Sequence, residues 1–242
     1  MVIKNLNVKA KDKHILKDLN LSIEGTEVIM GKNGSGKSTL MKAIMGDPSY
    51  TLEGEIIIDN ENILNLETNE RANKYRIFLS FQSPPMLEGI TLDQLIKRIY
   101  YKAKGYDDRD LSKIKEFREY INDWIEMLGI DNEFLKREIN KDLSGGEKKK
   151  SEILQMIAFQ PRYILLDEID SGLDVDSLRR ISEVINKYVS KTGAKVLLIT
   201  HYNRILKYIK PDRVHIMKEG RIVKSGGVEL IDLVESKGYD IF

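Results

Sequence analysis

Short apolar segments recur along the chain and predict a series of β-strands. Residues 16–23 place leucine and isoleucine among polar neighbours, which is typical of strands with one buried face. The apolar runs at 163–166 and 195–200 are nearly continuous, as expected for parallel strands covered on both faces. Further strands are predicted at 27–30, 55–58 and 77–81.

The middle of the chain changes to a helical period. Ile114, Phe117 and Ile121 recur at helical spacing and form one apolar face, and the helical pattern extends over 91–160. Near the end, 213–217 and 221–224 flank Glu219-Gly220 and predict a hairpin. We therefore expect an α/β fold.

The same patterns predict the organisation of the chain. We expect a single domain over 1–242, with a core at about 1–84 and 161–242. A helical sub-domain at about 85–160 interrupts that core.

Composition narrows the function classes. The chain has 242 residues, with 39 Lys+Arg against 38 Asp+Glu, so it lacks the basic excess of a non-specific nucleic-acid binder. The absence of cysteine excludes a thiol nucleophile and cysteine-ligated zinc or iron–sulfur sites on this chain. No apolar run approaches the roughly 20 residues that span a bilayer, and the first residues lack a signal-peptide core. We expect a cytoplasmic protein that does not insert into membranes.

A glycine-rich segment after the strand at 27–30 fits the phosphate-binding pattern G-x-x-x-x-G-K-[ST]. Its glycines let backbone N–H groups converge on phosphate oxygens, and the helix expected from Lys37 points its positive end at the same anion. Lys37 would contact the phosphates, and the Ser38 hydroxyl would ligate Mg²⁺. The alternative is a plain strand-to-helix turn, which the complete match in this context disfavours. The candidate nucleotide-binding residues are Gly31, Lys32, Asn33, Gly34, Ser35, Gly36, Lys37, Ser38 and Thr39.

Two acids follow the strand at 163–166. Ligands of parallel sheets bind beyond the carboxyl ends of the strands, so Asp167 is placed to hold Mg²⁺ through its water shell. Glu168 is a candidate general base for the attacking water. The alternative is a pair of solvated acids, which is the weaker interpretation beside a phosphate loop.

A second possible anion site lies at 143–147. Ser144 resembles an N-cap, and Gly145 and Gly146 bare the backbone at the start of a helix. One chain needs a single phosphate loop, so a second such terminus suggests two subunits closing over shared nucleotide. An ordinary capped helix explains this motif equally well.

Together, in this order, the three elements resemble the ATP-binding cassette ATPases, over essentially the whole chain. The resemblance implies the P-loop cassette fold, with a mostly parallel core sheet, N-terminal antiparallel strands and a helical sub-domain. It also implies ATP hydrolysis with ATP and Mg²⁺, in an ATP-dependent head-to-tail homodimer that places Ser144, Gly145 and Gly146 on the partner's nucleotide.

Further site residues follow from the same resemblance. Gln82 matches the Q-loop glutamine, which contacts Mg²⁺ and water, and His201 matches the switch histidine. Residues 171–174 resemble the D-loop. The implied catalytic residues are Glu168, His201 and Gln82, and the implied metal ligands are Ser38, Gln82 and Asp167. His14 and His215 match no motif and are expected to be structural.

Motif details are closest to the cassette ATPases of the Suf iron–sulfur assembly system. The signature segment ends in Glu147 and continues with three lysines, and 167–174 reads Asp-Glu-Ile-Asp-Ser-Gly-Leu-Asp. The implied partners are SufB/SufD-type scaffold proteins, which would carry the cluster ligands that this cysteine-free chain lacks.

Two alternative functions belong to the same superfamily. The energising subunit of a membrane transporter shares the whole ATP site and is the main alternative. A DNA-repair or chromosome ATPase is disfavoured, because the gap from Lys37 to Ser144 is short and holds no sustained heptads.

Two details lie outside the shared motifs. Residues 6–11 offer no aromatic side chain to stack on adenine, which many cassette ATPases provide in their N-terminal strands. The lysine run 148–150 occupies the start of the signature helix, where cations are unfavourable. We expect Lys149 to pair with Glu168 and restrain it; a solvated basic face is the alternative.

Overall fold

The computed structural model describes residues 1–80, 86–200 and 203–242, and the side chain of Asn203 lies outside this description. Its centre is a six-stranded sheet in the order β12-β11-β3-β10-β9-β6. Neighbouring strands from β11 to β6 run parallel, and β12 pairs antiparallel with β11. The strands are β3 (Thr26–Met30), β6 (Ile77–Ser80), β9 (Tyr163–Asp167), β10 (Lys195–Ile199), β11 (Arg213–Lys218) and β12 (Arg221–Gly226).

A second, antiparallel sheet in the order β2-β1-β4-β5 packs beside it. It consists of β1 (Val2–Ala10), β2 (Lys13–Ser22), β4 (Thr51–Ile58) and β5 (Glu61–Asn62). Leu16 and Leu19 are both buried although three residues apart, because the β1–β2 register shifts between their partners. Asp18, between them, has a φ of 47°, and a bulge of this kind returns both leucines to one face.

Nine helices occur within the described ranges. They are α1 (Lys37–Met45), α2 (Thr68–Tyr75), α3 (Leu92–Lys104), α4 (Ile114–Leu128), α5 (Asn132–Leu135), α6 (Gly145–Phe159), α7 (Val175–Thr192), α8 (Asn203–Leu206) and α9 (Glu229–Lys237). The helical stretch predicted in the middle of the chain contains α3 to α6. It also holds a small antiparallel pair that periodicity did not indicate, β7 (Leu87–Thr91) with β8 (Glu138–Ile139). Throughout the described residues, every helix is too short or too polar to cross a membrane.

The central strands are apolar on both faces, as predicted. Ile29 and Leu165 point into a cluster shared with α1 and the antiparallel sheet. Their neighbours Val28 and Leu166 point into a second cluster shared with α4, α6 and α7. The mixed α/β architecture with N-terminal antiparallel strands is thus confirmed. Because both faces are covered, polar chemistry is confined to the ends of the strands.

The carboxyl end of α1 is held by a buried arginine of α2. The Arg71 guanidinium, 1% exposed, donates to the carbonyl oxygens of Ala43 at 2.8 Å and Ile44 at 2.9 Å. Burial lowers the pKa of Arg71 to about 10, so the group stays charged at neutral pH. The Ala43 carbonyl also accepts from the Gly46 N–H at 3.0 Å, so the Arg71 donors add charge-assisted hydrogen bonds to the last turn of α1.

Candidate active site

The phosphate loop joins buried strand β3 to helix α1. Gly34 and Gly36 have φ values of 78° and 108°, in the region that favours glycine. Gly31 is buried, and a Cβ there would lie 2.3 Å from the carbonyl oxygen of Met217. The first turn of α1 carries no acidic side chain, so its N-terminal N–H groups present positive charge to an anion.

Lys37 is the first residue of α1, at the end of this loop, and is buried. Its Nζ donates to the carbonyl oxygens of Gly31 at 2.8 Å and Lys32 at 3.0 Å. Burial lowers the pKa of Lys37, while the carboxylates of Glu168 and Asp167 oppose that shift. An ammonium has three N–H donors, so two loop carbonyls leave one for a phosphate oxygen.

Asp167 lies at the carboxyl end of β9, level with Ile199 of β10, which is itself level with Ile29 of β3. Burial raises the pKa of Asp167, and hydrogen bonding from Ser38 opposes the rise. Its Oδ1 is buried and has no hydrogen-bond partner among the described residues. A buried carboxylate oxygen without a donor, next to a hydroxyl, fits the oxygen ligands that Mg²⁺ prefers.

Glu168 leaves the strand in a left-handed conformation, with a φ of 50°. Its N–H donates to the carbonyl oxygen of Ile199 at 3.0 Å, and its own carbonyl accepts from the Ser171 N–H at 3.1 Å. Such a φ is costly for glutamate, and strained residues of this kind cluster at functional sites. The turn brings the Glu168 side chain to the wall of a cavity.

This cavity has a volume of about 830 Å³ and unites distant segments of the chain. The phosphate loop contributes Asn33, Gly34, Gly36, Lys37, Ser38 and Thr39, and the strand β9 end contributes Glu168 and Ser171. The remaining wall comes from β2 and from the turn between β11 and β12. It consists of Lys13, His14, Ile15, Lys17, Glu219 and Gly220, which no sequence motif had marked.

Three predicted nucleotide-binding residues of the loop lie off this cavity. Gly31 and Ser35 are buried beneath the loop. The Lys32 side chain forms an ion pair with Asp240, close to the end of the chain. These three residues shape and anchor the loop, while Asn33, Gly34, Gly36, Lys37, Ser38 and Thr39 line the cavity.

The β11–β12 turn fastens the phosphate loop to β2. The Gly220 N–H donates to the Ser35 carbonyl at 2.9 Å, and the Gly220 carbonyl accepts from the Lys17 N–H at 3.0 Å. Gly220 has a φ of 82°, and a Cβ there would lie 2.0 Å from the Ile15 carbonyl oxygen. The hairpin predicted at this position therefore has a role that its sequence did not indicate.

The signature segment lies away from the cavity of its own chain. Ser144 caps α6: its Oγ accepts from the Glu147 N–H at 3.3 Å, and Glu147 Oε2 accepts from the Ser144 N–H at 2.8 Å. A Cβ on Gly145 would lie 3.7 Å from the Gly172 carbonyl oxygen. Gly172 follows Ser171, which lines the cavity, so the segment resembling a D-loop connects the two sites within one chain.

Lys149 has a partner other than the expected one. Its Nζ forms a buried ion pair with Glu152 at 2.9 Å, one helical turn along α6. Buried charges require a close partner, and an i,i+3 carboxylate on the same helix supplies one. The restraint of Glu168 by Lys149 stays a prediction.

The two histidines that match no motif lie in different environments. His215 is buried, with Nε2 3.0 Å from Glu27 Oε2 and Nδ1 2.8 Å from Ser225 Oγ, which agrees with a structural role. His14 lines the cavity instead. The predicted site residues Gln82 and His201 lie outside the described residues.

Comparison with known proteins gives the class. A family model described as ABC transporter matches residues 16–171. Vegetative protein 296 of Bacillus subtilis (strain 168) is 44% identical over 99% of this chain and 92% of its own length. The probable ATP-dependent transporter ycf16 of Antithamnion sp. is 42% identical over 98% of this chain and 95% of its own.

A solved structure agrees with these relatives. The dimeric post-hydrolysis state of the ATP-binding cassette MJ0796, bound to ADP and Pi, has a TM-score of 0.76 and 25% identity. The match covers 94% of this chain and 98% of that one. The chain belongs to the ABC transporter family, and its predicted cassette fold and ATPase activity are confirmed.

Replacing Gly220 tests the fastening turn. In Gly220→Ala the new methyl group meets the Ile15 carbonyl, so the turn shifts and its two hydrogen bonds to Ser35 and Lys17 weaken. We expect a loss of about 2 kcal/mol in unfolding free energy and weaker ATP binding. Denaturant titration and ATP binding by calorimetry measure both quantities.

Gly193→Ala is the matched control. Gly193 also has a positive φ of 69°, but a Cβ there meets open space. Its substitution should cost only the backbone strain, about 1–2 kcal/mol, and leave ATP affinity intact. Equal ATP affinities for the two variants would show that the turn does not shape the site.

Proposed function

We propose that this chain is the SufC-type ATPase of an iron–sulfur assembly system, and that it drives SufB/SufD-type scaffold proteins in the cytoplasm. One observation supports the ATPase activity: Lys37, Ser38 and Asp167 lie close together at one end of the parallel sheet. The Suf assignment rests on the residue pattern at 144–156 and 167–174. The boundaries at about 84 and 161 divide core from helical sub-domain in this proposal.

Binding begins with the phosphates. The N–H groups from Gly34 to Ser38 and the Lys37 ammonium hold the β- and γ-phosphates at the start of α1. Ser38, Asp167 and Gln82 would hold Mg²⁺, which neutralises charge on the phosphates when bound. The buried Oδ1 of Asp167, which has no hydrogen-bond donor among the described residues, supports Asp167 as one of these ligands.

Hydrolysis needs a base beside the γ-phosphate. Glu168 reaches the cavity wall next to Lys37 and Ser38, where its carboxylate accepts a proton from the attacking water. The hydrogen bond from its N–H to Ile199 fixes the backbone from which the side chain projects. His201 is proposed to contact the γ-phosphate.

The active form is proposed to be a head-to-tail homodimer. Ser144, Gly145 and Gly146 of one subunit cover the phosphate loop of the other, because the start of α6 offers backbone N–H groups to the γ-phosphate. The cassette MJ0796, whose solved structure is a dimer bound to ADP and Pi, supports a dimeric form. ATP would drive closure through its higher affinity for the closed state, and closure would move the attached scaffolds.

The energising subunit of a membrane transporter is the second candidate. The Antithamnion relative is named a probable ATP-dependent transporter, which favours this second candidate. Both candidates use the same ATP site, so the partner decides between them.

The Glu168→Gln variant should bind ATP and lose hydrolysis. The amide keeps the shape of the side chain but accepts no proton, and loss of a positioned base lowers the rate about 10²–10⁴-fold. Phosphate release and ATP binding are measured on the same preparation. Glu183→Gln, an exposed position on α7, should keep the wild-type rate. Wild-type turnover by Glu168→Gln would remove Glu168 from the mechanism.

Mixing two inactive variants tests the composite site. Lys37→Ala breaks the phosphate loop, and Ser144→Arg places a bulky cation where the partner's nucleotide would lie. Each alone should be inactive, and the mixture should recover part of the rate, because mixed dimers keep one intact site. Ser144→Ala, which loses the cap but keeps the space, should cost about 1 kcal/mol of stability and retain hydrolysis. Full activity of Ser144→Arg alone would contradict the composite site.

Capture of the partner tests the Suf assignment. Immobilised chain should retain purified SufB/SufD-type scaffold and leave solubilised transporter permeases in the flow-through. Met86 and Leu87 are 55% and 40% exposed beside the Q-loop segment, so Met86→Glu should abolish scaffold binding. Leu111→Glu, an equally apolar but separate position that is 71% exposed, should keep it. Retention of a permease instead would favour the transporter.

A further inference from the structure

The nucleotide cavity extends beyond the phosphate loop along strand β2. Lys13, His14, Ile15 and Lys17 form this part of the wall. Ile15 reaches the loop itself, since its Cγ2 would lie 3.7 Å from a Cβ placed on Gly36. With the phosphates held between Gly34 and Ser38, the wall left for the nucleoside end of the ligand consists of β2 and the turn at Glu219-Gly220.

The ring of His14 is held in a defined orientation. Its Nε2 lies 3.0 Å from Asn7 Oδ1. The Asn7 amide is itself fixed, because its Nδ2 donates to the Asn5 carbonyl at 2.9 Å and to Asp18 Oδ1 at 3.2 Å. Its Oδ1 also accepts from the Asp18 N–H at 3.1 Å.

This arrangement sets the tautomer of the imidazole. Since Asn7 turns its oxygen toward His14, Nε2 of the neutral ring must carry the proton and donate it. Nδ1 is then a hydrogen-bond acceptor, and it has no hydrogen-bond partner among the described residues. His14 lines the cavity, so this acceptor is complementary to a donor on a ligand that lies against the ring.

The purine bases differ in the group that they carry at position 6. Adenine carries an amino group at position 6, which donates, whereas guanine and hypoxanthine carry an oxygen there, which accepts. We propose that His14, oriented by Asn7, reads the 6-position of the base and makes the site prefer ATP to GTP and ITP. This inference deepens the nucleotide site of the proposed function and rests on it.

Competition binding tests the preference. ATP, GTP, ITP and inorganic tripolyphosphate each displace a ribose-labelled fluorescent ADP. In His14→Ala the ratio of ATP to GTP affinity should fall about 3- to 10-fold, the range for one neutral hydrogen bond. The affinity for tripolyphosphate should stay the same, because this probe has no base.

Two further variants separate recognition of the base by His14 from stacking and from general charge effects. His14→Phe keeps a ring that can stack on any base, so it should lose the preference while binding ATP and GTP alike. Lys13→Ala removes a cation from the same wall and should weaken all four ligands without changing the ratio. A ratio within about twofold of wild type in His14→Ala, or retained in His14→Phe, would overturn the inference.

Lys37→Ala distinguishes the failure of the site from the failure of the inference. This variant should lose ATP and tripolyphosphate together, because it breaks the phosphate end. Wild-type binding of tripolyphosphate by Lys37→Ala would refute the phosphate site itself. Loss of binding there, with an unchanged base preference in His14→Ala, would refute the role of His14 alone.

Discussion

The arrangement of the nucleotide site depends on one buried positive charge. The Lys37 ammonium is buried at the base of the cavity, held by two loop carbonyls and balanced by the nearby carboxylates of Asp167 and Glu168. The parallel strands β3 and β9 deliver these groups to one end of the sheet, with β10 between them. Removing one partner of such a set leaves the other charge uncompensated, which costs about 3–5 kcal/mol. The groups that bind nucleotide thus also determine how the sheet ends are arranged.

Much of this arrangement could be predicted from the sequence, because it depends on residues that are close together along the chain. Continuous apolar runs predicted the buried strands, and the phosphate loop and Asp167-Glu168 were recognised from their positions after strands. The resemblance to cassette ATPases supplied the rest of the motif set and the fold. The site residues it assigned stay proposals where no comparison tests them.

Other features could not be predicted, because they depend on packing between distant segments. No local pattern shows that Gly220 lies against Ile15, or that His14 lines the same cavity as the phosphate loop. The partner of Lys149 depended on which side of α6 is buried, and Glu152 lies on that side. The positive φ of Glu168 follows from how β9 meets β10, which periodicity does not encode.

The nucleotide cavity is assembled from segments that begin at Lys13 and end at Gly220. An incomplete or partly unfolded chain cannot form it, since contacts of such high sequence separation close late in folding. Binding energy gained there adds directly to the stability of the native chain, in proportion to the logarithm of ligand concentration. The substrate of this ATPase therefore also stabilises its native fold, and depletion of nucleotide removes that contribution.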